Sequence, residues 1–342
     1  MGKPTVHDLA REAGVSLATV DRVLNARSGV RGQTVDKVQA AIRKLGFVRD
    51  MSAANLARSR EYSFAFVLPD SPSQFVSRLR AALHDVAETQ IADRTTIKIF
   101  PVATQDPHVV VQVLAGLDPK HCDGVAIMAP ETPQLRDQVA RLKAAGMAVV
   151  AFVSDQPNSE RDHFIGINNI AAGRTAGVLM GRFLPGNQGK VLVVAASMLA
   201  RDSVERRGGF GTVLASDFPG VKVLPSVEAH DDPDRMAQIL KAAFAANPDI
   251  AGIYALASGN QALLKTLADM GHSDDLVVIV HELTPVTRMA LQEGRVAAVI
   301  TQDVGHLVRS ALRVLRARSD GQDIVPDQER IRIEIMLREN LP

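Results

Sequence analysis

Hydrophobic residues follow two different rhythms along this chain, and the change comes near residue 60. Before it the spacing is helical. Val6, Leu9, Ala10 and Ala13 recur at intervals of three and four, the signature of one helix face. Thr5 and Asp8 precede that run as T-x-x-D, a capping-box pattern, and Gly14 can adopt the positive φ that ends a helix tightly. Ser16 can then cap a second helix, with Val20, Val23 and Leu24 inward and Leu17, Ala18, Asp21, Arg22 and Asn25 outward. A third helix is expected from about Thr34 to Leu45, amphipathic through Val35, Val38, Ala41, Ile42 and Leu45, with Gly46 closing it. Two short helices joined by a tight glycine turn and braced by a third make a helix-turn-helix. A generic three-helix bundle would show the same spacing.

From Tyr62 the pattern becomes apolar runs alternating with amphipathic stretches. The strand candidates are SFAFVLPD, TIKIFPVA, GVAIMAP, AVVAFVSD, FIGIN, KVLVVAA, KVLPSV, GIYALA, LVVIVHE and AAVITQD. Helices are expected between most of them, for example over 134–145, 171–183, 203–216, 233–246 and 260–270. Continuous apolar strands alternating with helices predict parallel, doubly wound α/β sheets. About ten strands exceed one comfortable sheet, so two similar lobes are expected.

Composition agrees with this division. The chain has 342 residues, of which 46% are hydrophobic and only 4% aromatic, so its cores must be mainly aliphatic. Its single cysteine, Cys122, rules out a disulfide framework or a multi-cysteine zinc site. No stretch has the length of a membrane span or the apolar segment of an export signal, which predicts a soluble, cytoplasmic protein. The net charge of +1 conceals an asymmetry: residues 1–60 carry eleven Lys or Arg against five Asp or Glu. That is +6 on the head and −5 on the body, so a polyanionic partner is expected for the head alone.

The outward face of the second helix offers Thr19, Arg22 and Asn25 as donors for phosphates and base edges, and small Ala18 and apolar Leu17 permit close approach. At this point TVHDLAREAGVSLATVDRVLN, followed by GVRGQTVDKVQAAIRKLGF, resembles the head of the lactose/galactose repressor (LacI/GalR) family. The resemblance implies an all-α DNA-binding domain over 1–50 that binds half of a palindromic operator. It implies DNA contacts from Thr5, Ser16, Leu17, Ala18, Thr19, Arg22 and Asn25. It also implies a hinge over 51–61, MSAANLARSR, that becomes helical on DNA, with Ala54 and Leu56 at the minor groove. Arg49 stands where relatives often carry proline.

The body resembles the periplasmic sugar-binding fold that serves the same family as its effector domain. ERRGGF at 205–210, NNIAAGRTAG at 168–177 and HELTP at 281–285 carry that likeness. It implies a first lobe of 62–163 with 297–325, a second of 164–296 with 326–342, and a ligand between them. In open α/β sheets ligands bind at the carboxyl ends of strands. There the chain places Asp70, Ser71, Ser73, Phe75, Glu131, Asp155, Arg201, Asp202, Asn260, Glu282 and Gln302. Carboxylates, amides and a guanidinium suit sugar hydroxyls, and an aromatic suits the C–H face of the ring. Two positions depart from the family: Val204 where relatives often carry arginine, a duty Arg201 is placed to assume, and Asn168 where they often carry aspartate.

Signals for catalysis fail one by one. His281–Glu282 begins a zinc-protease motif, but Pro285 occupies the position of its second histidine. There is no phosphate-binding loop and no G-x-S-x-G elbow, and RRGGFG at 206–211 has the wrong spacing for a dinucleotide site. The expectation is therefore a homodimeric, effector-controlled transcriptional regulator with no metal or cofactor, most simply a repressor of sugar uptake or catabolism genes. Its effector would be a monosaccharide, polyol or sugar phosphate. A sugar receptor, or an enzyme with an accessory DNA-binding head, is the alternative.

Overall fold

The computed structural model describes residues 4–24, 28–47, 60–90, 94–103, 106–256, 259–272 and 275–342. Asn25, Arg49, Ala54 and Leu56, and with them the hinge up to residue 59, lie outside the described residues. The chain divides into two compact units, Met1–Arg60 and Glu61–Pro342.

The first unit contains α1 (Val6–Ala13), α2 (Leu17–Leu24) and α3 (Gly32–Leu45). Thr5 caps α1 through a complete capping box with Asp8, and Gly14 ends it at φ 64°. That left-handed turn lets α2 start at once, and the Ser16 hydroxyl accepts from the Thr19 amide at 3.2 Å. Leu9, Ala10, Ala13, Val20, Val38, Ala41 and Phe47 form the core. Val6, expected inward, is instead exposed in the first turn of α1. Phe47 was not anticipated; it follows the helix-ending Gly46 and folds back onto the bundle.

The second unit is built on two sheets. The first has the order β2 (Thr95–Val102), β1 (Tyr62–Pro69), β3 (Gly124–Ile127), β4 (Ala148–Phe152), β5 (His163–Ile165), all parallel. The second runs β12 (Glu334–Met336), β11 (Ala298–Thr301), β10 (Val277–His281), β9 (Ile250–Ala255), β6 (Gly189–Ala195), β7 (Val221–Val223). β8 (Val227–Glu228) also pairs with β6, and only β12 is antiparallel. The helices are α4 (Gln74–Gln90), α5 (Pro107–Ala115), α6 (Pro133–Ala144), α7 (Asn169–Phe183), α8 (Arg201–Asp217), α9 (Pro233–Ala246), α10 (Asn260–Asp269), α11 (Pro285–Gln292) and α12 (Val304–Ser319).

The apolar runs of the sequence reflect burial on both sheet faces. Along β1, Phe64, Phe66 and Leu68 enter one core while Ala65 and Val67 enter another. β6 behaves alike, with Val191 and Val193 on one side and Leu192 and Val194 on the other.

Two expected lobe boundaries move. β5 completes the first sheet at Ile165, past the expected end at 163. β11 belongs to the second sheet, paired with β10 and β12, so 297–301 does not join the first lobe. Only α12 returns there, packing on β3 and β4. Gln302 and Asp303 break the apolar run, and the Asp303 carboxylate caps α12 by accepting from His306 N at 2.9 Å. The strand therefore ends in one lobe and the helix starts in the other. Chain crossings fall near 166–168, 302–303 and 320–333.

Candidate functional site

In the head, α2 turns Leu17, Ala18, Asp21 and Arg22 to solvent while Val20 is fully buried. An exposed apolar side chain, a methyl group and a guanidinium thus share one rigid face. Thr5 and Ser16 are partly committed to the fold: the Thr5 hydroxyl donates to Asp8 Oδ2 at 2.7 Å, and Ser16 Oγ lies 2.9 Å from Thr19 Oγ1. Thr19 is half-buried, which leaves Arg22 as the long donor of the face. Lys44 pairs with Glu12 at 2.7 Å and ties α3 to α1 behind it.

In the body, a cleft of about 860 Å³ opens at the carboxyl ends of both sheets. Of the expected residues, Asp70, Ser71, Ser73, Phe75, Glu131, Asp202, Asn260 and Glu282 line it. Three do not. Asp155 is held by Arg161 in a two-point pair at 2.6 and 3.0 Å, so it shapes a loop instead of facing the cleft. Arg201 sits at the rim, paired with Glu205 at 2.7 Å and 3.6 Å from Glu131 of the other lobe. Gln302 stands behind Glu282 and donates to its Oε1 at 2.8 Å.

The arginine of the cleft is Arg206, which the sequence reading missed. It is 3% exposed, yet lines the cavity, with Nε donating to Asn169 Oδ1 at 2.9 Å and Nη1 to the Leu256 carbonyl at 2.6 Å. Its carboxylate neighbour Asp202 is 4.0 Å away. Val204, one of the departures from the family, is half exposed on the far side of α8 from this contact. The available signal was the spacing of ERRGGF against NNIAAGRTAG, because the two motifs are halves of one helix crossing. A Cβ on Gly173 would lie 2.0 Å from the Arg206 carbonyl oxygen, and one on Gly209 would lie 2.2 Å from that of Ile170. Glycine at both positions lets α7 and α8 touch backbone to backbone, which seats Arg206 at the cleft floor. Asn168, the other departure, caps α7 by accepting from Ala171 N at 2.9 Å.

Glu282 follows β10 with φ at 70°, a left-handed conformation costly for a side-chain-bearing residue. Val153, at the end of β4 on the facing wall, has φ 64°. Strain at the lips of both sheets is a common mark of a binding site. The Glu282 carboxyl is buried, and burial raises its pKa, although the Arg206 and Arg78 charges and the Gln302 and Thr301 side chains pull the other way. Asn260, opening α10, donates through Nδ2 to the His281 carbonyl at 2.9 Å. His281 Nε2 lies 2.8 Å from the Tyr254 hydroxyl, and burial holds the ring well below its ordinary pKa, hence neutral. The Tyr254 phenol is raised by burial, and its ring stacks on Phe210 of α8 at 4.5 Å.

Residues 64–323 match the family described as periplasmic binding protein domain. The chain belongs to this family. Its head, residues 5–50, matches the bacterial regulatory proteins of the lacI family. The periplasmic-binding-protein fold of the body is shared with a solute-binding protein of Burkholderia graminis C4D1M solved with D-arabinose. The TM-score is 0.73 at 24% identity, covering 82% of this chain and 96% of that one. A glucose-galactose binding protein of Geobacillus stearothermophilus superposes with TM-score 0.73 at 17% identity, covering 83% and 99%. Among curated relatives, catabolite control protein A of Staphylococcus xylosus is 32% identical over 127 residues, 36% of each chain. The same protein of Staphylococcus epidermidis is 31% identical over an equal span. The chain matches these relatives over about a third of their length.

Among the described residues no helix is long and apolar enough to cross a membrane.

Proposed function

We propose that this protein is a sequence-specific transcriptional regulator whose operator affinity is set by a carbohydrate held in the cleft. The carrying observation is the pairing, in one chain, of a lacI-family helix-turn-helix with a periplasmic-binding-protein body whose cleft has buried polar groups at its floor. Two copies would place two heads on the half-sites of a near-palindromic operator. Arg22 reads a base edge, guanine being the geometric match for its fork, and Leu17 and Ala18 meet bases or thymine methyl groups. Thr19 sits where it can hold phosphate and fix register. Ligand closes the cleft, the lobes shift, and the paired heads lose their fit to the two half-sites. The genes controlled would be those for uptake or breakdown of the same carbohydrate, and their repression would be relieved by it. On this reading the ligand acts as a signal and leaves unchanged.

Binding-site selection from random duplexes tests the head. The full chain should enrich a twofold-symmetric sequence, and Arg22→Ala should cost about 1–3 kcal/mol while relaxing preference at one base pair in each half-site. Enrichment of no symmetric site would overturn the proposal. Equal weakening of Arg22→Ala on every duplex would reassign Arg22 to phosphate.

A further inference from the structure

The cleft floor offers unused acceptors. Glu282 Oε2 and Asn260 Oδ1 are buried, belong to residues that line the cleft, and have no hydrogen-bond partner among the described residues. The Asn260 amide cannot be turned round, because its nitrogen already donates to the His281 carbonyl. Nearby cations are committed. Lys265 pairs with Asp269 along α10, and Arg201 is matched to Glu205 and Glu131. Arg78, outside the lining, donates to the Leu283 carbonyl, and Arg206 lines the cavity with Asp202 beside it.

Helix ends, which often attract anions, do not reverse this balance. α6, α9 and α11 begin at the cleft but are capped by their own Thr132, Asp232 and Thr284. α8 carries Asp202 in its first turn. Among these, α8, opening at Ala200, and α10, opening at Gly259, have no side-chain cap, and at α8 the first-turn carboxylate of Asp202 offsets the helix end. A helix end carries roughly half a positive charge, less than the Glu282 carboxylate close to it. Six carboxylate residues line the cavity against two cationic ones, and with Asp70 paired to Arg80 and Glu131 to Arg201 outside the lining, four carboxylates remain against those two. A phosphate or carboxylate entering it would lose water and meet like charge, which costs most where solvent is excluded. A hydroxyl donates to Glu282 or Asn260 and accepts from Arg206 with the same atom.

We infer that the effector is an uncharged polyhydroxylated molecule, a free sugar or polyol, and that the cleft rejects its phosphorylated and carboxylated forms. This rests on the carbohydrate reading of the cleft. The test is titration of the full-length protein, by thermal shift and calorimetry, with matched sets: glucose, galactose, ribose, arabinose and mannitol, each beside its phosphate ester and sugar acid. At least one neutral member should bind, and its anionic forms should bind at least about tenfold more weakly. Glu282→Gln should narrow that gap. Asp202→Asn, at the cleft wall, provides the same reading should Glu282→Gln fold poorly. A phosphate ester or sugar acid that binds as tightly as its neutral parent overturns the inference and leaves the carbohydrate reading intact. Failure of every neutral member overturns both.

Discussion

Glu282 holds a position that folding alone would not favour. Its φ is 70°, its side chain is 7% exposed, and one carboxylate oxygen has no partner among the described residues. A buried acceptor left in that condition costs on the order of 1–3 kcal/mol, a cost a ligand hydroxyl can offset. The direction of its pKa gives a stability test. Burial raises the carboxyl above its usual 4.5, so the folded chain keeps a proton that the unfolded chain has already released. The stability it contributes is complete below the unfolded value and is lost as pH rises through the folded one. Glu282→Gln cannot titrate and keeps an oxygen for Gln302 to donate to. Its stability should therefore gain on the wild type as pH is raised from about 4.5 and level off once the folded carboxyl has ionised. Urea unfolding of both proteins across pH 4 to 8 would measure it, the neutral His281 being common to both. A gap that shrinks with rising pH would show that the carboxylate is better satisfied than the geometry indicates.

At the scale of elements, the strands and helices were legible because each has a plain sequence cause. Period-two burial on both faces marks β1 and β6, and Thr132–Pro133, Asp232–Pro233 and Thr284–Pro285 announce three helix starts. Strand-end residues located the cleft, and eight of the eleven effector candidates line it. The failures share a cause as well. Asp155 and Arg201 are strand-end residues whose charges are consumed by local partners, Arg161 and Glu205, and one-dimensional spacing does not say which charges pair. Arg206 was missed because its role comes from a helix–helix contact between segments about 35 residues apart, a separation no local pattern encodes. Adjacent glycines within RRGGFG show the same limit. Gly209 is pressed against the Ile170 carbonyl, while a Cβ on Gly208 would meet nothing within 4 Å. Gly209→Ala must push α7 and α8 apart and should destabilise by about 1–3 kcal/mol or more, displacing Arg206 and weakening ligand binding. Gly208→Ala should be neutral or stabilising by a few tenths to about 1 kcal/mol. Thermal melts of the two variants decide it: equal destabilisation would mean the crossing is looser than its backbone distances imply.

For the whole molecule, the question is how a ligand at the cleft floor reaches the DNA. Gln302 lies at the crossing where β11 ends and α12 begins, and its amide holds Glu282 Oε1 at 2.8 Å. Under the proposed function, a ligand gripped by Glu282 would pull on a residue of a segment that crosses between the lobes. Arg201 and Glu131 add a weak contact across the rim, 3.6 Å apart and 38% exposed on the arginine side, which will part readily. If the proposed signal runs this way, the effector and the operator must be coupled in both directions by one free energy. Titrating the effector into the free protein and into its operator complex should give dissociation constants that differ by some factor, about 5 to 150 for typical couplings. The operator affinities with and without saturating effector must differ by that same factor. For an inducer the sign is fixed as well: operator weakens effector binding as effector weakens operator binding. Salt acts as an internal control. The head carries +6 over residues 1–60, so added salt should lower operator affinity steeply. It should leave binding of an uncharged effector to the free protein nearly unchanged. Equal effector affinity with and without operator would mean that the cleft and the head share a chain but not a signal.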